Sequence, residues 1–222
     1  MKPRLITIDG PVAAGKSSVG SLLAQRLGYS FFDTGIMYRA FTWKALEAHI
    51  TPKNEPKLRH LAKTIKFDFA SRHNGSLLPL INGEDVSAKL FDPKVERQVS
   101  LISQIAVIRQ AMVTEQRKLA KRGAIVMAGR DIGTVVLPEA ELKIFMVATT
   151  EKRAQRRYKE QFAQKGKRVN YNDILADLAK RDDADIHRTI SPLKPAADAI
   201  TVDTDKLSLE QVVDKIYALA VG

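Results

Sequence analysis

The chain of 222 residues contains no cysteine. That excludes a disulfide scaffold and any cysteine-ligated zinc or iron–sulfur centre, and it fits a reducing compartment. Aromatic residues are scarce, at 6% with a single tryptophan, whereas a surface that stacks nucleic-acid bases needs exposed rings. No apolar run approaches the roughly 18 residues that cross a bilayer. Asp9 interrupts the N-terminal apolar stretch, which therefore lacks the about 7–15 continuous apolar residues of a secretory signal. A cytoplasmic location and no membrane partner are expected. Internal repeats and low-complexity tracts are also absent, and His49, His60, His73 and His187 show no metal-ligand spacing.

Positive charge, by contrast, is abundant. Lys plus Arg number 36 against 25 Asp plus Glu, a net +11. Such a chain expects anionic partners: phosphorylated small molecules, nucleic acid or an anionic surface. Hydrophobic residues at 45% and charged residues at 27% describe a globular protein with a continuous core.

Short β-prone runs alternate with helical patterns. Arg4–Ile8, Tyr29–Phe32, Ala124–Met127, Leu142–Val147 and Ala199–Val202 read as five buried strands. Val19, Leu22, Leu23 and Leu27 fall at helical spacing before Gly28, a C-cap residue. Further helices are predicted over Met37–Ala48, from Asp92 to Lys121 with a break near Gln104–Val107, from Glu151 to Gln164, from an Asn172 cap to Asp185, and from a Ser208 cap to Ala220. Thr51–Lys57 reads as a Pro- and Lys-rich break. Lys66–Ala70 and Leu77–Ile81 flank Asn74-Gly75, a hairpin signal. Phe41 and Trp43 are expected in the core of their helix. The alternation implies a parallel sheet covered by helices on both faces, with chemistry at the C-terminal ends of its strands.

After the first strand comes Gly10-Pro11-Val12-Ala13-Ala14-Gly15-Lys16-Ser17. This satisfies G-x-x-x-x-G-K-[ST] between a strand and a helix. Glycines let backbone N–H groups turn inward around an anion, and the helix beginning near Lys16 adds its positive end. Lys16 brings a mobile cation to the β/γ-phosphates, and the Ser17 hydroxyl is a ligand for Mg²⁺. With Ser18, the loop predicts an ATP site. Asn-Lys-x-Asp, the guanine signature, is absent, and Ala128 stands where a hydrolase would end a strand on an acid. The next residues, Gly129-Arg130-Asp131-Ile132-Gly133-Thr134, suit an acceptor: Arg for a phosphate, Asp for a base edge or hydroxyl.

Several further segments occur in order: Asp33-Thr34-Gly35-Ile36-Met37-Tyr38-Arg39, Ile81–Val86, Gly129–Val136, Arg181–Arg188 and Ser191–Asp198. Together with Ile8–Pro11 and the phosphate loop they resemble the bacterial cytidylate kinases, a family of nucleoside monophosphate kinases, almost from end to end. The resemblance implies an α/β P-loop kinase core with a five-stranded parallel sheet flanked by helices, an inserted NMP-binding domain with a small antiparallel sheet, and a short lid. Core segments would be 1–38, 109–152 and 171–222, the insert 39–108 and the lid 153–170. It implies transfer of the ATP γ-phosphate to CMP or dCMP with Mg²⁺, by a monomer. Thr34, Arg39, Arg130 and Arg188 would hold the CMP phosphate. Ser100, Arg109 and Asp131 would read cytosine, and Asp185 with Arg181 would bind the sugar hydroxyls. Lys16, Arg130, Arg188, Arg157 and Arg153 would be catalytic, with Arg156 a further lid arginine.

Elementary chemistry agrees with these roles. Phosphoryl transfer needs in-line positioning and neutralised oxygens more than covalent help. Guanidinium forks supply that bidentately. Glu151–Arg168 carries eight basic and two acidic residues, and Arg153 and Arg157 share a helix face at i, i+4. Asp131 would accept from the cytosine amine, and uracil would oppose it with another acceptor. Three residues depart from the family pattern. Ala13 stands where another glycine is often found, with only a small conformational change expected. Ala128 replaces a common acid, which leaves Asp9 as a candidate to assist Ser17 at Mg²⁺. His187 stands where Asn is usual. Taken singly, Arg39 or Arg109 would read as a surface or salt-bridged residue. The alternatives from sequence are a P-loop kinase for another small acceptor (UMP, AMP or shikimate) and a nucleic-acid-binding protein; no dedicated nucleic-acid partner is expected.

Overall fold

In the computed structural model, which describes residues 2–165 and 170–222, five strands form one parallel sheet. Across it lie, in this order, β2 (Ser30–Asp33), β6 (Ile125–Gly129), β1 (Leu5–Asp9), β7 (Leu142–Val147) and β8 (Ile200–Asp203). The all-parallel arrangement requires helical crossovers, which cover both faces. Alternation along β6 shows the result. Val126 and Ala128 pack on the side of α1 (Lys16–Leu27) and α8 (Leu209–Val221). Ile125 and Met127 pack on the side of α2 (Thr34–Glu47) and α5 (Ala106–Ala120). Core residues such as Leu23, Phe32 and Phe41 are fully buried; each contributes about 1.5–3 kcal/mol relative to exposure.

The insert contains α3 (Glu55–Thr64), β3 (Phe67–Ser71), β4 (Leu77–Ile81), β5 (Glu84–Asp85) and α4 (Pro93–Ile102). Its antiparallel sheet has three strands rather than the expected two, in the order β3-β4-β5. Asn82 (φ 52°) and Gly83 (φ 85°) both take positive φ, which is how a two-residue hairpin turn continues the ladder into Glu84–Asp85. Trp43 packs partly buried on Ala40, Ile81, Val86 and Leu90. The hairpin tip touches the core sheet: the Phe31 amide donates to the Gly75 carbonyl at 3.0 Å, beside a parallel bridge from Phe31 to Ser76. Phe69 meets Phe32 edge-on, with ring centroids 5.2 Å apart.

The expected break Thr51–Lys57 is shorter than predicted: Thr51–Asn54 lie outside any helix, and α3 starts at Glu55. The Asn54 side chain accepts from the Lys57 amide at 3.2 Å, and Pro56 lies in the first turn. Proline is preorganised there, since its missing N–H falls among groups without a helical partner. The long predicted helix does break, into α4 and α5. α2 starts three residues earlier than predicted because the Asp33 side chain caps it, accepting from the Gly35 amide at 2.9 Å. The remaining helices are α6 (Thr150–Lys165) and α7 (Tyr171–His187). α7 is capped by Asn170 rather than Asn172, whose amide donates to the Asn170 side chain at 2.9 Å. Residues 166–169, part of the expected basic loop and lid, lie outside the described residues. His187 is exposed and pairs with Asp183 one turn earlier. Among the described residues no helix is long and apolar enough to cross a membrane.

Candidate active site

β1 ends at Asp9, and the chain turns sharply through Gly10 to reach α1. Gly10 takes φ 150°, and a Cβ there would fall 2.3 Å from the Met146 carbonyl oxygen. Only glycine lets the loop lie this close to β7. Gly15 (φ 92°) precedes α1, and no side chain caps the helix start. Its first amides are thus left for an anion. Ala13 adopts φ 59°, a left-handed conformation costing an L-residue about 1–2 kcal/mol that glycine would take freely. Lys16 is buried, and its Nζ donates to the Pro11 carbonyl at 2.6 Å. Burial, then the nearby Arg130 charge, draws the ammonium well below the usual lysine range. It is a desolvated cation beside another cation, an arrangement that an incoming polyanion relieves.

The Ser17 hydroxyl donates to Asp33 Oδ2 at 2.5 Å. Asp33 thus joins the phosphate loop to the start of α2. Sequence reading missed this pairing because it depends on β2 and β1 flanking β6 in the sheet, an order the chain does not announce. Asp9 is placed differently. Its Oδ1 accepts from the Ile132 amide at 2.8 Å and its Oδ2 from the Gly133 amide at 2.7 Å. Asp9 therefore anchors the π-helical turn Ile132–Val136, which begins just after Asp131. Burial above all raises its carboxyl to about 6, against the lowering effect of the two amides. Ala128 is buried inside β6, and its carbonyl accepts from the Thr34 hydroxyl at 3.0 Å.

Beside the loop opens a cleft of about 150 Å³. Val12 of the loop lines it, together with Thr34, Gly35, Tyr38 and Arg39 of α2, Val99 and Ser100 of α4, Ser103 and Arg109. Gly129, Arg130 and Asp131 line it from the end of β6, and Arg181, Asp185 and Arg188 from α7 and its C-cap. All nine residues expected at the acceptor site are thus brought around one cavity. Gly129 has no room for a side chain, since a Cβ would meet Thr34 Oγ1 at 2.6 Å.

The charges in this cleft interlock. Arg109 donates to Asp131 through Nη2 and to the Ser103 carbonyl through Nη1 at 3.0 Å. Arg130 Nε donates to Asp185 Oδ2 at 2.7 Å. Arg188 lies 3.6 Å from Asp131 and 3.8 Å from Asp185, too far for hydrogen bonds, while its Nε donates to the Ser191 carbonyl at 2.5 Å. Burial, then repulsion from Arg109, lowers Arg188 from the usual guanidinium value. Arg188 Nη2, Arg109 Nε and the Tyr38 hydroxyl are buried without a hydrogen-bond partner. Buried donors of this kind want acceptors. Tyr38, which the sequence placed merely on a helix, lies beneath Arg109 at 5.4 Å from its ring centroid. Burial raises its hydroxyl to about 12.

The arginines of α6 part company. Arg153 is buried, donating to the carbonyls of Ala148 and Val12 and to Thr150 Oγ1, and pairing with Asp182 at 2.6 Å. Arg156 donates to the Ala14 carbonyl at 3.4 Å and to both oxygens of Thr204. These two hold α6 against the phosphate loop. Only Arg157 turns toward the insert, where it meets Glu96 at 3.2 Å; Arg39 and Arg181 reach the same carboxylate.

A family model described as cytidylate kinase matches residues 6–221. A cytidylate kinase of Bacillus anthracis is 45% identical over 217 residues, covering 98% of this chain and 96% of its own length. One from Bacillus cereus (strain ATCC 10987) matches at the same identity and coverage. A shikimate kinase structure from Acinetobacter baumannii aligns over 99% of this chain and 93% of its own at 19% identity and TM-score 0.47, which says nothing about the acceptor. With a family model matched over residues 6–221 and a relative 45% identical over 98% of this chain, the protein belongs to the cytidylate kinase family.

Proposed function

We propose that the protein transfers the γ-phosphoryl group of ATP to CMP or dCMP, giving CDP or dCDP and ADP. The observation that carries this reading is the cleft beside the phosphate loop, where Arg39, Arg130, Arg181 and Arg188 converge with Asp131 and Arg109 behind them. Gly10 through Ser18 wrap the ATP phosphates with backbone amides, and Lys16 reaches the β/γ-oxygens. An oxygen of the acceptor phosphate attacks the γ-phosphorus, the bond to the β–γ bridging oxygen breaks, and ADP leaves with that oxygen. Thr34, Arg39, Arg130 and Arg188 hold the acceptor phosphate in line, and their charge is fixed before the reaction begins. Arg157 serves the transferring group from α6, while Arg153 holds the loop from behind.

Ser17 and Asp33 present only oxygens at the mouth of the loop, a donor set that suits Mg²⁺. Ser17 would be the protein ligand of the ion alongside the nucleotide phosphates. When bound, Mg²⁺ neutralises charge on the β- and γ-phosphates. Asp9, with both oxygens occupied by amides, assists by holding the Ile132 turn.

Ser100, Arg109 and Asp131 read the base, and Asp185 with Arg181 the sugar. The insert 39–108 carries acceptor binding; closure of the enzyme around both substrates excludes the water that would hydrolyse ATP. We take the enzyme to act as a cytoplasmic monomer. The test is ADP release with ATP and Mg²⁺, run against CMP, dCMP, UMP, AMP, GMP and no acceptor. Release strongest with CMP or dCMP supports the reading. Release without acceptor marks an ATPase, and silence with the cytidine nucleotides overturns the assignment.

A further inference from the structure

Glu96 is the one carboxylate on α4 that reaches across the cleft among the described residues. Its Oε1 lies 3.3 Å from Arg39 Nη2 on α2, 3.2 Å from Arg157 Nη2 on α6 and 3.5 Å from Arg181 Nη2 on α7. Three guanidiniums from three helices therefore share one oxygen. Arg39 is tethered further, by the Leu90 carbonyl at 3.3 Å and the Phe91 ring at 5.1 Å. Glu96 itself is partly buried, with 27% of its side chain exposed.

Three like charges do not gather without a counter-charge. Among the described residues the only one common to all three is Glu96; Arg157 also meets Glu160 at 3.1 Å, and the cluster keeps one positive charge in excess. Arg39 and Arg181 line the acceptor cleft, and Arg157 projects from the helix that Arg153 and Arg156 tie to the phosphate loop. The carboxylate thus connects the acceptor side, the donor side and the insert through a single atom. Burial works against its ionisation, but Arg39, Arg157 and Arg181 together hold it below the usual carboxylate range.

We propose that Glu96 is a positioning residue for phosphoryl transfer, gathering Arg39, Arg157 and Arg181 into one cationic cluster that meets the phosphates of both substrates. This rests on the kinase reading above. Glu96 touches no substrate in that reading and acts through the three arginines. Removing its charge would leave them mutually repelling, and misplacement of such groups by about 1 Å costs on the order of 100-fold in rate.

The experiment compares the full-length enzyme with Glu96→Gln, Glu96→Ala and Glu96→Asp. Initial rates are taken against CMP at saturating ATP and against ATP at saturating CMP. CMP binding is titrated with and without a non-hydrolysable ATP analogue, and circular dichroism and a thermal midpoint report the fold. Gln keeps the shape and an acceptor oxygen but not the charge. We expect Gln and Ala to lower kcat and raise KM for CMP, with kcat/KM down about 10- to 100-fold, and to abolish any tightening of CMP binding by the analogue. Asp should recover most of the loss. Wild-type kinetics in the Gln variant would overturn the proposal, and so would a gain in kcat/KM, which would make Glu96 a competitor of phosphate. A Gln variant that does not fold would assign Glu96 to stability and overturn it too. A wild-type enzyme silent with CMP would instead sink the kinase reading, and this inference with it.

Discussion

Arg109 and Asp131 form an ion pair at the floor of the cleft, with side chains 4% and 6% exposed. One oxygen of Asp131 is taken by Arg109, and the other faces Arg188 at 3.6 Å. A carboxylate so placed cannot be lost cheaply, because two buried guanidiniums would face each other without it. Asp131→Asn is expected to destabilise the protein by about 3 kcal/mol, read as a lowered urea midpoint. Among molecules that remain folded, the preference for CMP over UMP should shrink by about tenfold or more, since an amide can donate to the uracil carbonyl. An unchanged CMP:UMP ratio would remove Asp131 from base recognition.

Lys16→Ala is expected to lower turnover by at least about 100-fold, in line with the loss of one fixed charge at a transferring phosphoryl group. Its stability should move the other way. The wild-type ammonium is desolvated and lies beside Arg130, so its removal relieves a cost. A thermal midpoint equal to or above wild type, with activity lost, is the expected pairing.

Two carboxylates near the loop are expected to behave differently toward Mg²⁺. Asp33 accepts from Ser17 and caps α2. Asp33→Ala should cost about 1 kcal/mol of stability from the cap and raise the Mg²⁺ concentration for half-maximal rate. Asp9 accepts instead from Ile132 and Gly133. Asp9→Ala should reduce stability and leave the Mg²⁺ requirement near wild type among folded molecules. A shift in that requirement for Asp9 alone would place it at the ion.

Asp9 also makes a pH prediction. Its carboxyl is raised from 3.8 to about 6, mainly by burial. The native state therefore binds the proton more tightly than the unfolded chain between those values. Its contribution is fully present below about pH 4 and lost as pH rises toward 6, by up to about 3 kcal/mol. Above pH 6 the difference is constant. Urea unfolding of wild type and Asp9→Asn across pH 4–7 measures it, and a gap that grows in favour of wild type with rising pH would contradict the sign.

Much of the fold and of the cleft was legible in the chain. The phosphate loop is contiguous, so Gly10, Gly15, Lys16 and Ser17 declared their chemistry by spacing alone. The five core strands were readable because each is a short apolar run stopped by turn residues; the nine acceptor residues that line the cleft were singled out by the family resemblance, Ser100 and Arg109 lying outside every quoted motif. Asp33, Tyr38 and Glu96 were harder, for a common reason. Each acquires its role from a neighbour on another element: Asp33 from Ser17, Tyr38 from Arg109, Glu96 from three arginines on three helices. Arg153 was misleading in the same way. From sequence it shares a face with Arg157, yet in the fold Asp182 and the Val12 carbonyl take up its donors. Helix α3 was hidden by Pro56, whose place in the first turn marks a beginning where a break was read.

The contact between Phe31 and the Gly75–Ser76 turn has a meaning for solubility. β2 is an outermost strand of the parallel sheet, and an uncovered outer strand offers a row of unsatisfied amides and carbonyls to any other chain. The tip of the β3–β4 hairpin takes up one of those amides at 3.0 Å, and Phe69 lies against the ring of the next residue. The insert thus also shields the sheet from intermolecular strand addition. Trimming the hairpin would uncover an aggregation-prone margin even where the catalytic cleft stayed whole.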